Sequence, residues 1–283
     1  MTAPIYNTFG ATELKVPVVG QGTYNMERNP RMSIDALRYG ISLGLTHIDT
    51  AEIYGDGAVE TLVGHALHGV RDRVVLVSKV HPENASQEGI VKACEQSLRR
   101  IGTDYLDVYL LHWLSSHPVA DTIAGFESLV EAGKIRHWGV SNFDEVKLRE
   151  FVKVAGAATI CCNQVMHHLG ERSIEHAVAP YCHDQRISVV GYSPFGKDDF
   201  PPESRSGADV LADVALTLDA TPRQVALAFL VRKSGGFTIP KASNRQHVEE
   251  NAQAAALDLP EEAVERLDEE FPLGPRTAGV PVW

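Results

Sequence analysis

The runs Thr46-His-Ile-Asp-Thr50, Val74-Val-Leu-Val-Ser-Lys79 and Leu106-Asp-Val-Tyr-Leu-Leu-His112 decide the fold. Each is a short, mostly apolar segment that ends on or beside a proton-handling side chain: Asp49, Lys79 and His112. Tyr54 lies five residues beyond Asp49, in Asp49-Thr-Ala-Glu-Ile-Tyr-Gly55. Nearly continuous apolar runs mark strands covered on both faces, which is the habit of parallel sheets. Ionisable groups at the carboxyl ends of successive parallel strands converge on one mouth of a β/α barrel.

Similar runs recur along the chain. Residues 16–20, 46–50, 74–80, 106–112, 135–141, 159–165, 187–193 and 236–240 read as eight strands, the number that closes a barrel. Amphipathic segments fill the gaps. One starts at Asn29-Pro30 and stops near Gly44; the others are 57–68, 86–101, 119–132, 144–154 and 172–183. Between strands seven and eight, a Pro201-Pro202 breaker precedes two helices, 207–218 and 222–233, one of them extra to the barrel. Residues 244–256 form the eighth barrel helix, and 261–269 lead into Phe271-Pro272 and a short tail ending at Trp283. Ahead of strand one, residues 5–9 and 13–15 flank Gly10-Ala11 as a hairpin over the barrel floor. The 283 residues show no linker or fixed-period repeat, so residues 1–283 read as one α/β domain, a (β/α)8 TIM barrel with an N-terminal hairpin and extra helices.

Composition narrows the function. A formal net charge of −11 disfavours nucleic acid and anionic membrane as partners. No apolar run approaches the ~20 residues of a membrane span, and the start lacks a basic and apolar secretory leader, so the cytoplasm is expected. Cys94, Cys161, Cys162 and Cys182 lack metal or redox spacing and read as buried small residues. His65 with His68, and His167 with His168, lack a third ligand at convincing spacing. They read as surface or pocket-wall histidines, and no metal is expected.

Taken singly, Asp49 could cap a loop, Tyr54 could sit on the barrel rim, Lys79 could snorkel and His112 could be a core histidine. Together they match one mechanism. Reducing a carbonyl leaves negative charge on its oxygen, which needs a proton donor and hydrogen bonds. A phenol is a weak acid; a nearby ammonium favours phenolate, and a carboxylate balances that ammonium. Tyr54, Lys79 and Asp49 fit these roles, while a neutral His112 can donate one ring proton to orient the substrate.

The set resembles the catalytic tetrad of the aldo-keto reductases, and the resemblance extends over almost the whole chain. Gly20-Gln-Gly-Thr-Tyr24, the Asp49–Gly55 block with Glu60 and Val63-Gly64, Leu110-Leu-His-Trp113, Gly133-Lys-Ile-Arg, Gly139-Val-Ser-Asn-Phe143, Asn163-Gln164, Gly191-Tyr-Ser-Pro194 and Ile239-Pro-Lys-Ala-Ser-Asn-Arg245 occur together and in order. There is no Rossmann G-x-G-x-x-G. The resemblance implies NADP(H), preferred over NAD(H), and reduction of a small carbonyl substrate. It places Thr23 near the nicotinamide ribose, counts Gly22 and Asp49 among the cofactor-binding residues, and puts Ser141, Asn142 and Gln164 on the carboxamide. Tyr192 would stack on the ring and Ser193 reach the pyrophosphate. Lys241, Ser243, Asn244, Arg245, His247, Glu250 and Asn251 would clasp the adenosine end. Two departures stand there: His247 occupies a position where NADP-preferring relatives often have arginine, and Ala242 replaces a common serine. Tyr24 and Trp113, with Tyr54 and His112, line the substrate side, with Phe143 a further wall. Short loops at 113–117, 195–206 and after Phe271 suit small or polar carbonyls. By the same resemblance, an NADP(H)-binding redox-sensor barrel is the alternative. A Schiff-base isomerase or aldolase using Lys79 would need no adenosine clasp. A monomer or small homo-oligomer is expected.

Overall fold

The computed structural model describes all of the chain except residues 1–3, 157, 197–199, 201–204, 234, 277 and 283. The Pro201-Pro202 breaker, part of the 195–206 loop and Trp283 therefore lie outside the described residues. After a two-stranded antiparallel hairpin, β1 (Tyr6–Thr8) and β2 (Lys15–Pro17), eight parallel strands follow in chain order around one sheet. They are β3 (Gln21–Gly22), β4 (His47–Asp49), β5 (Val75–Val80), β6 (Leu106–Leu111), β7 (Ile135–Ser141), β8 (Ile160–Met166), β9 (Ser188–Tyr192) and β10 (Gly236–Thr238). A parallel bridge from Val19 to Thr238 joins the last strand to the first, and Gly22 N donates to Pro240 O at 3.1 Å. The fold is a (β/α)8 barrel.

Strand one differs from the sequence expectation. Residues 16–20 serve two ladders: Val16 and Pro17 pair with the hairpin, while Val18–Gly20 close the barrel against Thr238. Pro17 lacks the N–H that a central strand needs, and the chain changes partners there. Gly20 lets it pass β4 closely, since a Cβ there would meet the His47 carbonyl at 2.8 Å. The hairpin turn carries Phe9 into the floor, where its buried ring meets His47 edge-on at 5.9 Å and Phe237 at 5.1 Å. Burying such a side chain contributes about 1.5–3 kcal/mol, enough to hold the hairpin on the floor.

The outer layer comprises α1 (Pro30–Ser42), α2 (Ala58–Leu67), α3 (Gln87–Ile101), α4 (Val119–Glu131), α5 (Glu145–Ala155), α6 (Val178–Asp184), α7 (Arg205–Thr217), α8 (Pro222–Val231), α9 (Arg245–Ala254) and α10 (Glu261–Glu270). Local chemistry sets their ends: Ser86 caps α3 by accepting from Gly89 N, Asp144 caps α5, and Thr221 with Gln224 forms a capping box on α8. The expected helix 172–183 is broken into a 3₁₀ turn, Ser173–His176, and α6. Pro180 explains the break: it cannot donate to residue 176, so the helix can only start just before it. Of the surface and pocket-wall alternatives for His167 and His168, the surface one fails. Both are buried, and His167 Nε2 lies 3.2 Å from Glu175 Oε1 in an ion cluster with Arg172. The four cysteines are buried and free of disulfides.

Candidate active site

Strands β4, β5 and β6 are hydrogen-bonded neighbours, so their carboxyl ends deliver Asp49, Lys79 and His112 side by side. Tyr54 comes from the turn after β4. Lys79 is fully buried and its Nζ donates to Asp49 Oδ1 at 2.6 Å and to Thr50 O at 2.8 Å. The same Nζ stands 3.4 Å from Tyr54 Oη. Asp49 Oδ2 accepts from Gln164 Nε2 at 2.7 Å, so both carboxylate oxygens are held. The half-buried Tyr54 ring meets His112 at 5.9 Å and Tyr24 at 5.3 Å, both edge-on. His112 stacks on Trp113 at 3.9 Å, with its buried Nδ1 lacking a hydrogen-bond partner.

Electrostatics sharpen the picture. Burial pushes the Lys79 pKa down, but the Asp49 carboxylate and the Tyr54 hydroxyl outweigh it and the net shift is upward. The ammonium is secure. Burial raises the Tyr54 pKa, and the opposing pull of Lys79 does not reverse it. This corrects the expectation that the ammonium leaves the phenol more acidic than usual; desolvation wins, and the group is a phenol at neutral pH. Burial, then the positive field of Lys79 and His81, lowers the His112 pKa to about 2, so the ring is neutral.

Beside this cluster lies a polar wall. Ser141 Oγ donates to Gln164 O at 2.9 Å; Asn142 Nδ2 donates to His112 O at 3.0 Å, and Asn142 Oδ1 accepts from Tyr192 Oη at 2.8 Å. Asn142 sits at φ 65°, a left-handed conformation that asparagine tolerates better than most residues. Thr23 is buried and its hydroxyl donates to Asp49 O at 2.8 Å. A Cβ on Gly22 would strike Ile239 O at 2.6 Å, which brings strand one against the chain leading to Lys241. Ser193 also has a positive φ, 51°.

The adenosine block is looser. Asn244 caps α9 by accepting from His247 N at 2.8 Å. The Arg245 guanidinium lies over the Tyr39 ring at 4.6 Å, and Lys241 is exposed, with Ser243 between them in sequence. Burial, then Arg28, lowers the Lys241 pKa against the pull of Glu27. Glu250 Oε2 and Asn251 Oδ1 are buried without hydrogen-bond partners. Sequence reading assigned no part to Glu52, whose Oε1 accepts from His81 N at 2.6 Å and braces the loop beside Trp113. It also gave none to Arg28. Glu52 stood inside the quoted Asp49–Gly55 block, and that was its only signal.

Residues 18–270 match the sequence model described as the Aldo/keto reductase family. Methylglyoxal reductase YeaE of Escherichia coli is 41% identical over 263 residues, covering 92% of this chain and 93% of the relative. A glyoxal reductase of Bacillus subtilis is 31% identical over 261 residues, covering 90% of this chain and 89% of that protein. The aldo/keto reductase of Klebsiella pneumoniae, solved in complex with NADP and acetate, superposes with a TM-score of 0.93 at 38% identity, covering 98% of this chain and 99% of that one. With a barrel whose adjacent strands bring Asp49, Lys79 and His112 to Tyr54, and a family match across most of its length, this chain belongs to the aldo/keto reductase family.

Proposed function

We propose that this protein reduces the carbonyl of small aldehydes or ketones with NADPH, Tyr54 giving the proton. The observation that carries the reading is the buried ammonium of Lys79, which reaches Asp49, Thr50 O and Tyr54 Oη at once beside a neutral His112. Methylglyoxal and glyoxal reductases among the relatives support a small carbonyl substrate. NADP and NADPH complexes among similar structures support the cofactor.

The residues fit that cofactor. Gln164 gives its amide nitrogen to Asp49 and offers Oε1 as acceptor for a primary amide. Asn251 Oδ1, buried and unpartnered, suits an exocyclic amine at the other end. Lys241, Ser243, Arg245 and His247 offer donors for a 2′-phosphate, which favours NADPH over NADH. NADPH supplies the hydride when bound. Tyr54, kept protonated by burial, hands its proton to the carbonyl oxygen as charge develops there. Lys79 faces the phenolate that remains and stabilises it, while Asp49 and Gln164 hold Lys79 in place. Neutral His112 donates one N–H to the same oxygen and fixes its direction. Tyr24 and Trp113 flank Tyr54 and His112 and offer aromatic walls to the substrate.

A panel of carbonyls assayed by nicotinamide absorbance with NADPH and NADH tests the reading. Multiple turnovers per site on a small aldehyde are expected. Slow, single-turnover oxidation of bound cofactor would instead indicate a sensor.

A further inference from the structure

Glu52 stands two residues before Tyr54, in the turn after β4. Its N–H donates to Lys79 O at 3.4 Å, which ties its backbone to the end of β5. Its side chain is only 8% exposed, and a carboxylate so placed needs charge or donors beside it. The charge is distant: Arg100 lies 4.0 Å from Oε2 and gives its closer bond to Glu60 at 2.6 Å. The donors are near. His81 N donates to Oε1 at 2.6 Å and Asn84 Nδ2 donates to it at 3.1 Å, both from the loop that follows β5. That loop hands the constraint on. Pro82 O accepts from Ser115 Oγ at 2.8 Å, Glu83 O lies 3.1 Å from His117 Nε2, and the His81 ring meets Trp113 edge-on at 6.3 Å. Trp113 in turn stacks on His112 at 3.9 Å. One carboxylate thus joins the turn that carries Tyr54 to the 113–117 loop that carries the aromatic wall.

We propose that Glu52 is a positioning residue that sets the Trp113 wall against Tyr54, and so decides which carbonyls fit between them. The proposal rests on the carbonyl-reductase reading above and deepens it at the substrate end. Hydrogen bonds to a charged acceptor are the strong ones, and one carboxylate oxygen has room for both His81 N and Asn84 Nδ2. Without that oxygen the 81–85 loop loses its tie to the Tyr54 turn and carries Ser115, His117 and Trp113 away from the phenol. Lys79 keeps Asp49 Oδ1 and Thr50 O, so the proton donor and its ammonium stay in register while the wall moves. A small carbonyl needs the wall close, whereas a bulky one gains room when it retreats. A loss of this kind shows in KM more than in kcat, and in the choice between substrates.

The test is steady-state reduction of methylglyoxal and of benzaldehyde at saturating NADPH by wild type, Glu52→Ala, Glu52→Gln, Trp113→Ala and the Glu52→Ala, Trp113→Ala double variant. Glu52→Ala is expected to raise the KM for methylglyoxal about ten-fold and to change kcat less than about threefold. The ratio of the two kcat/KM values is expected to shift about ten-fold toward benzaldehyde. Glu52→Gln is expected to recover most of the loss, because its amide oxygen still accepts from His81 N. On top of Trp113→Ala, Glu52→Ala is expected to add less than about twofold, since the wall it holds is already gone. An equal fall in kcat/KM for both carbonyls, additive losses in the double variant, or a glutamine variant no better than alanine would overturn the proposal and leave Glu52 a brace for folding alone. Should Glu52→Ala fail to fold, Ser115→Ala decides: it cuts the bond to Pro82 O and is expected to shift the ratio the same way by a few-fold, and an unchanged ratio refutes the proposal. A wild-type protein that reduces no carbonyl of the panel removes the reductase reading and this proposal together. A wild-type ratio that persists in Glu52→Ala removes this proposal alone.

Discussion

Replacing Lys79 with methionine is the sharpest test of the buried pair. The substitution keeps most of the side-chain volume and removes one charge, leaving Asp49 buried at 1% exposure without its counter-ion. Breaking a buried ion pair from one side costs about 3–5 kcal/mol. Gln164 Nε2 still holds Oδ2 at 2.7 Å, which places the expected loss toward the lower end. For a chain of this size each kcal/mol corresponds to roughly 2–4 °C, so a fall of about 6–12 °C in Tm is expected. The loss has a pH signature. An unpaired buried carboxylate has its pKa raised, so the folded variant binds a proton that the unfolded chain has already released. Lys79→Met should therefore lie closest to wild type below about pH 4 and be most destabilised near neutrality. Asp49→Asn combined with Lys79→Met removes both charges and should recover much of the stability while remaining inactive. Urea unfolding of the four proteins between acid and neutral pH gives the coupling. A Lys79→Met cost below about 1 kcal/mol, or one that does not change with pH, would mean that the pair is solvated and that the electrostatic account of Tyr54 is wrong.

Tyr54→Phe should lower reduction about 10²–10⁴-fold while NADPH affinity stays within a few-fold, read by steady-state kinetics beside a binding titration. Because burial raises the Tyr54 pKa, wild-type reduction should not lose its acid limb until above about pH 10, so a pH–rate profile that falls through neutrality on a phenol would contradict the site. Lys241→Ala should weaken NADPH far more than NADH, and equal losses would show that Lys241 does not read the 2′-phosphate. His47 is buried with its pKa lowered to about 4, so the unfolded chain takes up a proton near pH 6.5 that the folded chain refuses. Stability should drop as pH falls from about 6.5 toward 4, by up to about 3 kcal/mol, and His47→Gln should flatten that slope in thermal melts.

The strands from β4 to β10 were legible because each is covered on both faces and so announces itself as an apolar run. The gathering of Asp49, Tyr54, Lys79 and His112 was legible for a related reason: polar groups that end such runs have nowhere to go but the barrel mouth. Strand one was misplaced because apolarity records burial and not hydrogen-bond partners. Residues 16–20 are buried throughout yet divide between two ladders at Pro17. The helix at 172–183 was overextended because the amphipathic pattern continued through Pro180, whose missing N–H decides the matter locally. The direction of the Tyr54 shift could not be read in advance, since it depends on how desolvation compares with a charge 3.4 Å away. The part of Glu52 was hidden for the opposite reason. It reads as one more acidic residue in a turn, and only packing brings it to His81 and Asn84.

Phe9 seats the hairpin beneath a barrel whose centre is already packed with side chains. With the hairpin seated against His47 and Phe237, traffic through the floor is closed, and everything that reaches Asp49 and Lys79 must pass the rim on which Tyr24 and Trp113 stand. Two guests that share one doorway must queue. On the proposed reading, the dinucleotide takes its seat along Gln164 and Asn142 and has to be seated first and leave last. Product-inhibition kinetics should show the dinucleotide as the leading reactant.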